Sequence, residues 1–595
     1  LRPARLLLVA LLAFAFAATA LAPSASAAAF TNPQAAADAG TPVLITAMNT
    51  PPTGYRLTGT EVERIARRVS SVIAVVHRHR GAHPFAYTKG PGQWQVSWFT
   101  GQGVKSKEIA QVYIDDATGK VTQAWTGFQV AWTMARGYPG AFGERVNALY
   151  VWLPMCILFL LPFIPWRQRP TLLHLDLLAL LGFSVSIAFF NNANLGLSVP
   201  LVYPFLLYLL VRMLLLAFGR GRPREPLKLL VPTHWLAVGI VFLIGFRIGL
   251  NVTNSNVIDV GYAGVIGASK LIHGTPLYGH WPIGNAYGDT YGPVNYFAYI
   301  PFQQIFGWSG TWDSLPAAHA ASITFDVLTM LGLFVLGRRI AGSKLGIVLA
   351  YAWAAYPFSL FVLASDSNDS LVALLLVVTL LVASSAPARG VALALAGLTK
   401  FAPLALGPLM LRGPDGVGGR DGPGGRDGPG GRDGPGGRGG PDGRARPARR
   451  ATKSLVLYLV AFALTVVAAF LPVLLQDNLS AFWHDSIAYQ ASRGAPFSVW
   501  GLYGGLSLEQ HVVQGLGVAL AIAVAFFPRR RDIVAVAALA AAVIIAVQLG
   551  VTYWFYLYIV WFFPLVIVAL FGSYPADELQ RAAPGRAEVA VPAVA

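Results

Sequence analysis

The chain has 595 residues, 55% of them hydrophobic, and 44 Lys and Arg against 27 Asp and Glu give it a formal charge of +17. Several apolar runs of membrane-spanning length exclude a soluble enzyme. In a soluble protein the positive excess would point to nucleic acid, but here the Arg residues cluster in short loops between apolar runs, where they set orientation, so no nucleic-acid partner is expected.

Residues 1–29 open with Arg2 and Arg5, continue through an apolar core at 6–21 and end on small residues at 24–29, the pattern of a secretory signal peptide. The domain at 30–147 is then expected outside the cytoplasm. Val62, Ile65, Val69, Val72, Ile73 and Val76 recur at helical spacing, while Trp94, Val96 and Trp98 alternate as in a half-buried strand. Two more strands, near 110–114 and 121–125, flank Asp115, Asp116 and Gly119, which carry hairpin-loop chemistry. This order, with YIDDATGKV, resembles PepSY-type extracytoplasmic domains of small α+β fold. His77, His79 and His83 are interleaved with Arg78 and Arg80 and have no carboxylate nearby, so they read as a solvated basic loop rather than metal ligands.

Apolar runs follow near 148–165, 172–190, 197–218, 231–250, 316–337, 345–363, 370–386, 454–475, 510–527, 532–549 and 552–571. The lone cysteine, Cys156, lies within the first, which leaves neither a disulfide framework nor a thiolate metal site. Arg167 and Arg169, then Arg220, Arg222, Arg224 and Lys228, then Arg338, Arg339 and Lys344, then Arg529, Arg530 and Arg531 belong in the cytoplasm. With the N-terminal domain outside and the tail at 572–595 inside, a polytopic α-helical membrane protein of about eleven spans meets every cluster, provided that 294–308 and 391–411 dip in without crossing. Thirteen spans is the alternative. The second dipping stretch is broken by Lys400 and Pro403. Residues 413–450 repeat GGRDGP and read as a disordered cytoplasmic linker.

The most informative stretch is 251–301, too polar and too rich in Gly and Pro to cross a bilayer. Asp259 precedes a helix-compatible segment at 260–273 that ends at Gly274 and Pro276, so a short interfacial helix is expected, with Asp259 as its N-cap or as a reactive carboxylate. Asp259, Tyr262, Ala263, Gly274, Pro276, Leu277 and Tyr278, followed by Thr290, Tyr291 and Pro293, resemble the first extracytoplasmic loop of GT-C membrane glycosyltransferases, most of all glycosyltransferase family 87. Gly292 stands where the family's pattern has a proline. A second stretch, 482–502, is similar to the family's late outer loop at Tyr489, Gln490, Arg493, Ser498 and Trp500.

The resemblance covers 230–571 and leaves 148–229 as three additional helices. It implies transfer of a mannose- or arabinose-like sugar from a polyprenyl-phosphate donor to an envelope glycan or glycolipid acceptor, among membrane lipids at the outer face of the cell membrane, with Asp259 as base. Such chemistry needs a carboxylate for the acceptor hydroxyl, cations for the departing phosphate and aromatic surfaces for the sugar. Arg493 has the fork of donors that matches phosphate. Tyr262, Tyr278, Tyr291 and Trp500 are candidates for the aromatic surfaces, although aromatic residues belt any membrane interface. Asp289 and Asp485 are further outer carboxylates, and Asp366 and Asp369 can hold a divalent cation or sugar hydroxyls, with helix capping the alternative for Asp369. A lipid-linked-sugar flippase and a non-catalytic envelope-assembly protein are the rival classes. Few charges within the spans and no evident inverted repeat argue against the flippase.

Overall fold

The computed structural model describes residues 42–89, 92–101, 107–126, 130, 145–164, 171–191, 194–255, 257–282, 285–308, 315–414, 442–492, 495–529 and 531–575. The expected signal peptide, the GGRDGP repeats and the end of the tail lie outside the described residues, as do Arg167, Arg169 and Arg530.

A five-stranded antiparallel sheet in sequential order forms from β1 (Val43–Leu44), β2 (His83–Thr88), β3 (Gln93–Thr100), β4 (Lys107–Asp115) and β5 (Val121–Thr126). Two helices, α1 (Gly59–Ala66) and α2 (Ser70–Arg78), join β1 to β2. Alternation along β3 places Trp94, Val96 and Trp98 on one face, buried in a core with Val62, Ala66, Val72 and Val75. In the expected hairpin loop, Thr118 N and Oγ1 donate to Asp115 Oδ1 at 2.8 and 2.6 Å, and Gly119 supplies the left-handed φ of +68°. Two expectations change. The single helix over 62–76 is two, because the chain turns at 67–69 and Val69 is extended before α2. His83 does not lie in a loop but starts β2.

The apolar part begins with α3 (Leu149–Leu160), α4 (Leu172–Asn191) and α5 (Leu195–Ala217), then α6 (Thr233–Asn254) and the short α7 (Asp259–Ile272) and α8 (Pro293–Phe306). Next come α9 (Pro316–Ala341), α10 (Ser343–Ala355), α11 (Pro357–Ala364), α12 (Asp369–Leu381) and α13 (Ala386–Gly397). Four longer helices complete the chain, α14 (Asp442–Leu475), α15 (Ser507–Phe526), α16 (Ile533–Gly550) and α17 (Ile559–Gly572), and residues 442–450, expected as the end of the disordered linker, are instead the start of α14. Among the described residues seven helices (α4, α5, α6, α9, α14, α15 and α16) are long and apolar enough to cross a bilayer, and α10 with α11, bent by 57°, adds an eighth where the bent pair is counted as one span rather than as a re-entrant loop. The remaining three of the expected runs are shorter apolar helices, Leu149–Phe163, α12 and Tyr556–Gly572. At about 1.5 Å per residue they fall short of a hydrocarbon core about 30 Å thick.

α16 and α17 are buried almost throughout, whereas α6, α14 and α15 expose Leu, Val and Phe side chains as lipid-facing helices do. The α10–α11 break has a local cause. Pro357 lacks the N–H that would bond Trp353 O, and Ser359 Oγ donates to that carbonyl instead at 2.6 Å. Arg247 of α6 donates to the neighbouring Ala354 O at 3.1 Å and forms a two-pronged ion pair with Asp326 of α9 at 2.5 and 3.0 Å, both residues buried. Both members of this pair lie within spanning helices, among the few charges those helices carry.

The segment 386–411 returns to the end of the bundle where it started: Arg389 donates through Nε to Met410 O at 2.8 Å and through Nη2 to Leu411 O at 3.3 Å. Lys400 is at its tip. α8 begins against that tip, with Val294 N donating to Leu398 O at 3.1 Å. A Cβ at Gly292 would overlap the Leu398 carbonyl, so a glycine, not a proline, is what fits this junction. The basic loops meet at the opposite end, where Arg222 pairs with Asp532 and Lys344 Nζ donates to Leu227 O.

Candidate functional site

The end of the bundle away from the basic loops is built from the start of α7, the connection from α7 to α8, the turn 365–368, the tip at Lys400 and a segment that is not the expected loop but helical, with a π-helical stretch at Trp483–Ala488 between short α-helical turns at Leu479–Phe482 and Tyr489–Ser492. Asp259 is the first residue of α7. Ile258 occupies the N-cap and makes no side-chain cap bond, so the capping assignment for Asp259 is corrected to a first-turn position, where a carboxylate still favours the helix dipole. α7 is docked by Ile258 N donating to Ser365 O at 3.2 Å and by Asn285 Nδ2 donating to Asp259 O at 3.0 Å.

The two outer loops are sewn together. Tyr278 N donates to Asn478 Oδ1 at 2.7 Å, Asn478 Nδ2 donates back to Tyr278 O at 3.1 Å, and Ser486 Oγ donates to Asp289 O at 2.6 Å. Tyr287 and Tyr489 stack with ring centroids 4.3 Å apart. Asp289 is buried and accepts from Gly279 N at 2.9 Å. Desolvation pushes its carboxyl up to about 6, Asp485 pushes the same way, and Gly279 N and Lys270 pull against them. Burial in turn lowers the Lys270 ammonium below its ordinary range, partly offset by Asp289. Lys270 donates to Gly279 O at 3.2 Å and lies 5.7 Å from the Trp281 ring centre. A raised carboxylate, a second carboxylate and a lysine thus lie close enough to act on one another's charge.

Beneath this layer, Lys400 Nζ is 2.5 Å from Asp369 Oδ1 and sits over the rings of Tyr291, Tyr558 and Trp561 at 5.5, 5.5 and 5.2 Å. Trp561 Nε1 donates to the same oxygen at 2.7 Å and Ser367 Oγ donates to Oδ2 at 2.8 Å. Asp369 is therefore held by three donors at the start of α12 and does not act as an N-cap. Asp366, fully buried with a left-handed φ of +50°, accepts from Asn251 Nδ2 at 2.6 Å and Ser255 Oγ at 2.7 Å and lies 3.1 Å from His319 Nδ1. No three His, Cys, Asp or Glu side chains converge into a metal-binding group among the described residues. Since Asp366 and Asp369 are already taken up by protein donors, no step is assigned to a divalent cation.

The sequence-derived residues separate into three sets. Asp289, Asp485, Tyr278 and Tyr291 join the outer cluster, with Tyr278 Oη donating to Tyr291 O at 3.0 Å, and Asp369 and Asp366 lie below it. Tyr262 is buried, edge-on to Trp308 with centroids 5.9 Å apart, and Trp500 stands elsewhere, bonded to Leu549 O at 2.8 Å and edge-on to Tyr203. Arg493 lies outside the described residues. In the sequence Lys400 shows only as a break in an apolar run, and Lys270 and Trp561 carry no mark of a site. An ionisable residue inside an apolar stretch was the signal available for Lys400.

No protein-family model matches the chain, and no curated protein or solved structure matches it.

Proposed function

We propose that the chain is an integral membrane glycosyltransferase that moves a mannose- or arabinose-like sugar from a polyprenyl-phosphate donor to an envelope glycan or glycolipid, at the face opposite its basic loops. One observation carries the reading. The two stretches that bear the resemblance, 251–301 and 482–502, are bonded to each other at Ser486–Asp289 and Tyr287–Tyr489, beside carboxylates, two lysines and an aromatic cage.

In this reading the acceptor hydroxyl oxygen bonds to the anomeric carbon and gives its proton to Asp259. The bond from that carbon to the donor phosphate oxygen breaks, its electron pair leaving with the polyprenyl phosphate and the configuration inverting. Lys400 and Lys270 offset the charge on that phosphate, together with Arg493, whose fork of donors matches it. Asp289 is the rival base, since a carboxyl near 6 lies closer to neutral working pH than an ordinary aspartate.

The test is transfer from lipid-linked sugar in membranes matched for protein level. Asp259→Asn keeps shape but cannot take a proton, and loses about a hundred- to ten-thousand-fold in rate. Full turnover by that variant removes Asp259 from the chemistry, and loss in Asp289→Asn alone moves the base there. A flippase is the second reading, favoured by the broken α10–α11 span and the buried Arg247–Asp326 pair. Movement of a lipid-linked sugar between leaflets of proteoliposomes, without any acceptor, decides for it.

A further inference from the structure

At the basic end of the bundle a cavity of about 480 Å³ opens between the start of α4, the loop 221–228 and the end of α17, well separated from the carboxylate cluster by the length of α6. Its apolar wall includes Phe163, Leu173 and Leu570, and its polar wall carries Arg212, Arg222, Arg224 and Lys228 against the carboxylates Asp176 and Glu225.

The floor is a built arrangement. Arg212 is only 5% exposed and reaches both oxygens of the fully buried Asp176 through Nε alone, at 2.9 and 3.0 Å. Tyr208 Oη fixes that carboxylate from the other side at 2.6 Å. Nη1 of Arg212 has a long 3.5 Å contact to Gly221 O, and Nη2 has no partner among the described residues. A guanidinium often offers a pair of N–H groups to one acceptor, so the edge of Arg212 that lines the cavity without a protein acceptor suits an anion that presents oxygens. His174 does not compete for that place: Thr171 N donates to its Nδ1 at 2.9 Å, which leaves the proton on Nε2, donating to Phe163 O at 3.1 Å. At the rim, Arg224 makes no ion pair among the described residues, and the Lys228–Glu225 pair is exposed and therefore weak. Arg222 is held in two-pronged fashion by Asp532 at 2.7 and 3.2 Å and borders the cavity without being available.

We propose that this cavity binds a phosphate group, with the Nη2 edge of Arg212 at the floor and Arg224 and Lys228 closing over it. The apolar wall beside the charges and the position at the end of apolar helices favour the phosphate of an anionic lipid headgroup. The bound phosphate ties α4 and α5 to the loop before α6 and to the end of α17. This site is independent of the transferase reading.

The experiment uses the full-length protein in maltoside micelles, which contain no phosphate, and follows unfolding temperature by tryptophan fluorescence. Phosphatidylglycerol or inorganic phosphate is added in separate titrations. Because a ligand that binds only the folded state stabilises by mass action, phosphatidylglycerol should raise the midpoint by a few degrees in a saturable way. Arg224→Gln with Lys228→Gln should unfold like the wild type in bare micelles and need about tenfold more lipid for the same rise. Arg338→Gln, an exposed basic position outside the cavity, should respond like the wild type. A rise from phosphatidylglycerol alone assigns a lipid headgroup, and one also given by inorganic phosphate and lost in the double variant assigns a free phosphate compound. No rise with either, a rise unchanged in the double variant, or an equal loss in Arg338→Gln overturns the proposal.

Discussion

Asp289 is the residue whose environment makes the sharpest demand on pH. Its carboxyl titrates at about 6 in the folded protein against an ordinary 3.8. Between those values the folded state holds a proton that the unfolded chain has released, so the contribution of this group is full below about 3.8 and is lost as pH rises through about 6. Asp289→Asn keeps an oxygen for Gly279 N and removes the charge. It should be more stable than the wild type above pH 6, by about 2–3 kcal/mol at most, with the difference vanishing near pH 4. Denaturation midpoints at pH 4 and pH 8 check this, and equal midpoints at pH 8 would refute it. The Lys400–Asp369 pair invites a second substitution series. Lys400→Met leaves a buried carboxylate without its cation and should cost about 3–5 kcal/mol, while Lys400→Met with Asp369→Leu should recover most of that loss. If the double variant inserts and folds but transfers no sugar, the pair serves chemistry rather than stability. A double variant as unstable as the single one would show that the aromatic cage cannot accept an apolar replacement.

The elements differ in how plainly the sequence announces them. Alternation at Trp94, Val96 and Trp98 and the Asp115–Gly119 loop lead directly to β3 and the β4–β5 hairpin, because strand period and turn chemistry are local. The helix at 62–76 keeps an apolar period across a turn, so the break at 67–69 is invisible to periodicity alone. The apolar runs correspond to described helices, yet three are too short to span, since an apolar run in the interior of a bundle looks the same as one that meets lipid on both leaflets. The pairs Lys400–Asp369 and Arg247–Asp326 join residues 31 and 79 positions apart, and only tertiary packing brings them together. Of the site, Tyr278 and Tyr291 are picked out by the resemblance and Asp289 and Asp485 only by the charge placement that puts their loops on the outer face, whereas Lys270 and Trp561 carry no local mark. The junction of α8 with the tip at Lys400 gives an element-level test. Gly292→Ala drives a Cβ into the Leu398 carbonyl, backbone against backbone, and should displace the tip and cut activity at least about tenfold. Gly245→Ala in α6 meets nothing within 4 Å and should be neutral or stabilising by about 0.5–1 kcal/mol. Equal activity of the two variants would show that the tip tolerates displacement.

At the scale of the whole molecule the distribution of charge decides orientation. The loop 218–230, the α9–α10 connection and the segment before α16 are far apart in sequence, yet Arg222 meets Asp532 and Lys344 meets Leu227, so their basic residues collect at one end of the bundle. The carboxylates Asp259, Asp289, Asp366, Asp369 and Asp485 belong to the other end. Lys and Arg in short loops stay on the cytoplasmic side during insertion, so the basic end should face the cytoplasm and the carboxylate end the exterior. His484 and Arg220 have exposed side chains at the two ends and can report on this. In a Cys156→Ser background, a cysteine at 484 should react with an impermeant maleimide in intact cells, and a cysteine at 220 should react only after the membrane is opened. The reverse pattern would turn the molecule over and place its carboxylates in the cytoplasm, where soluble nucleotide sugars rather than lipid-linked ones are the donors at hand. Equal labelling at both positions in intact cells would break the two-ended arrangement itself, and with it the argument that the two outer loops form one site.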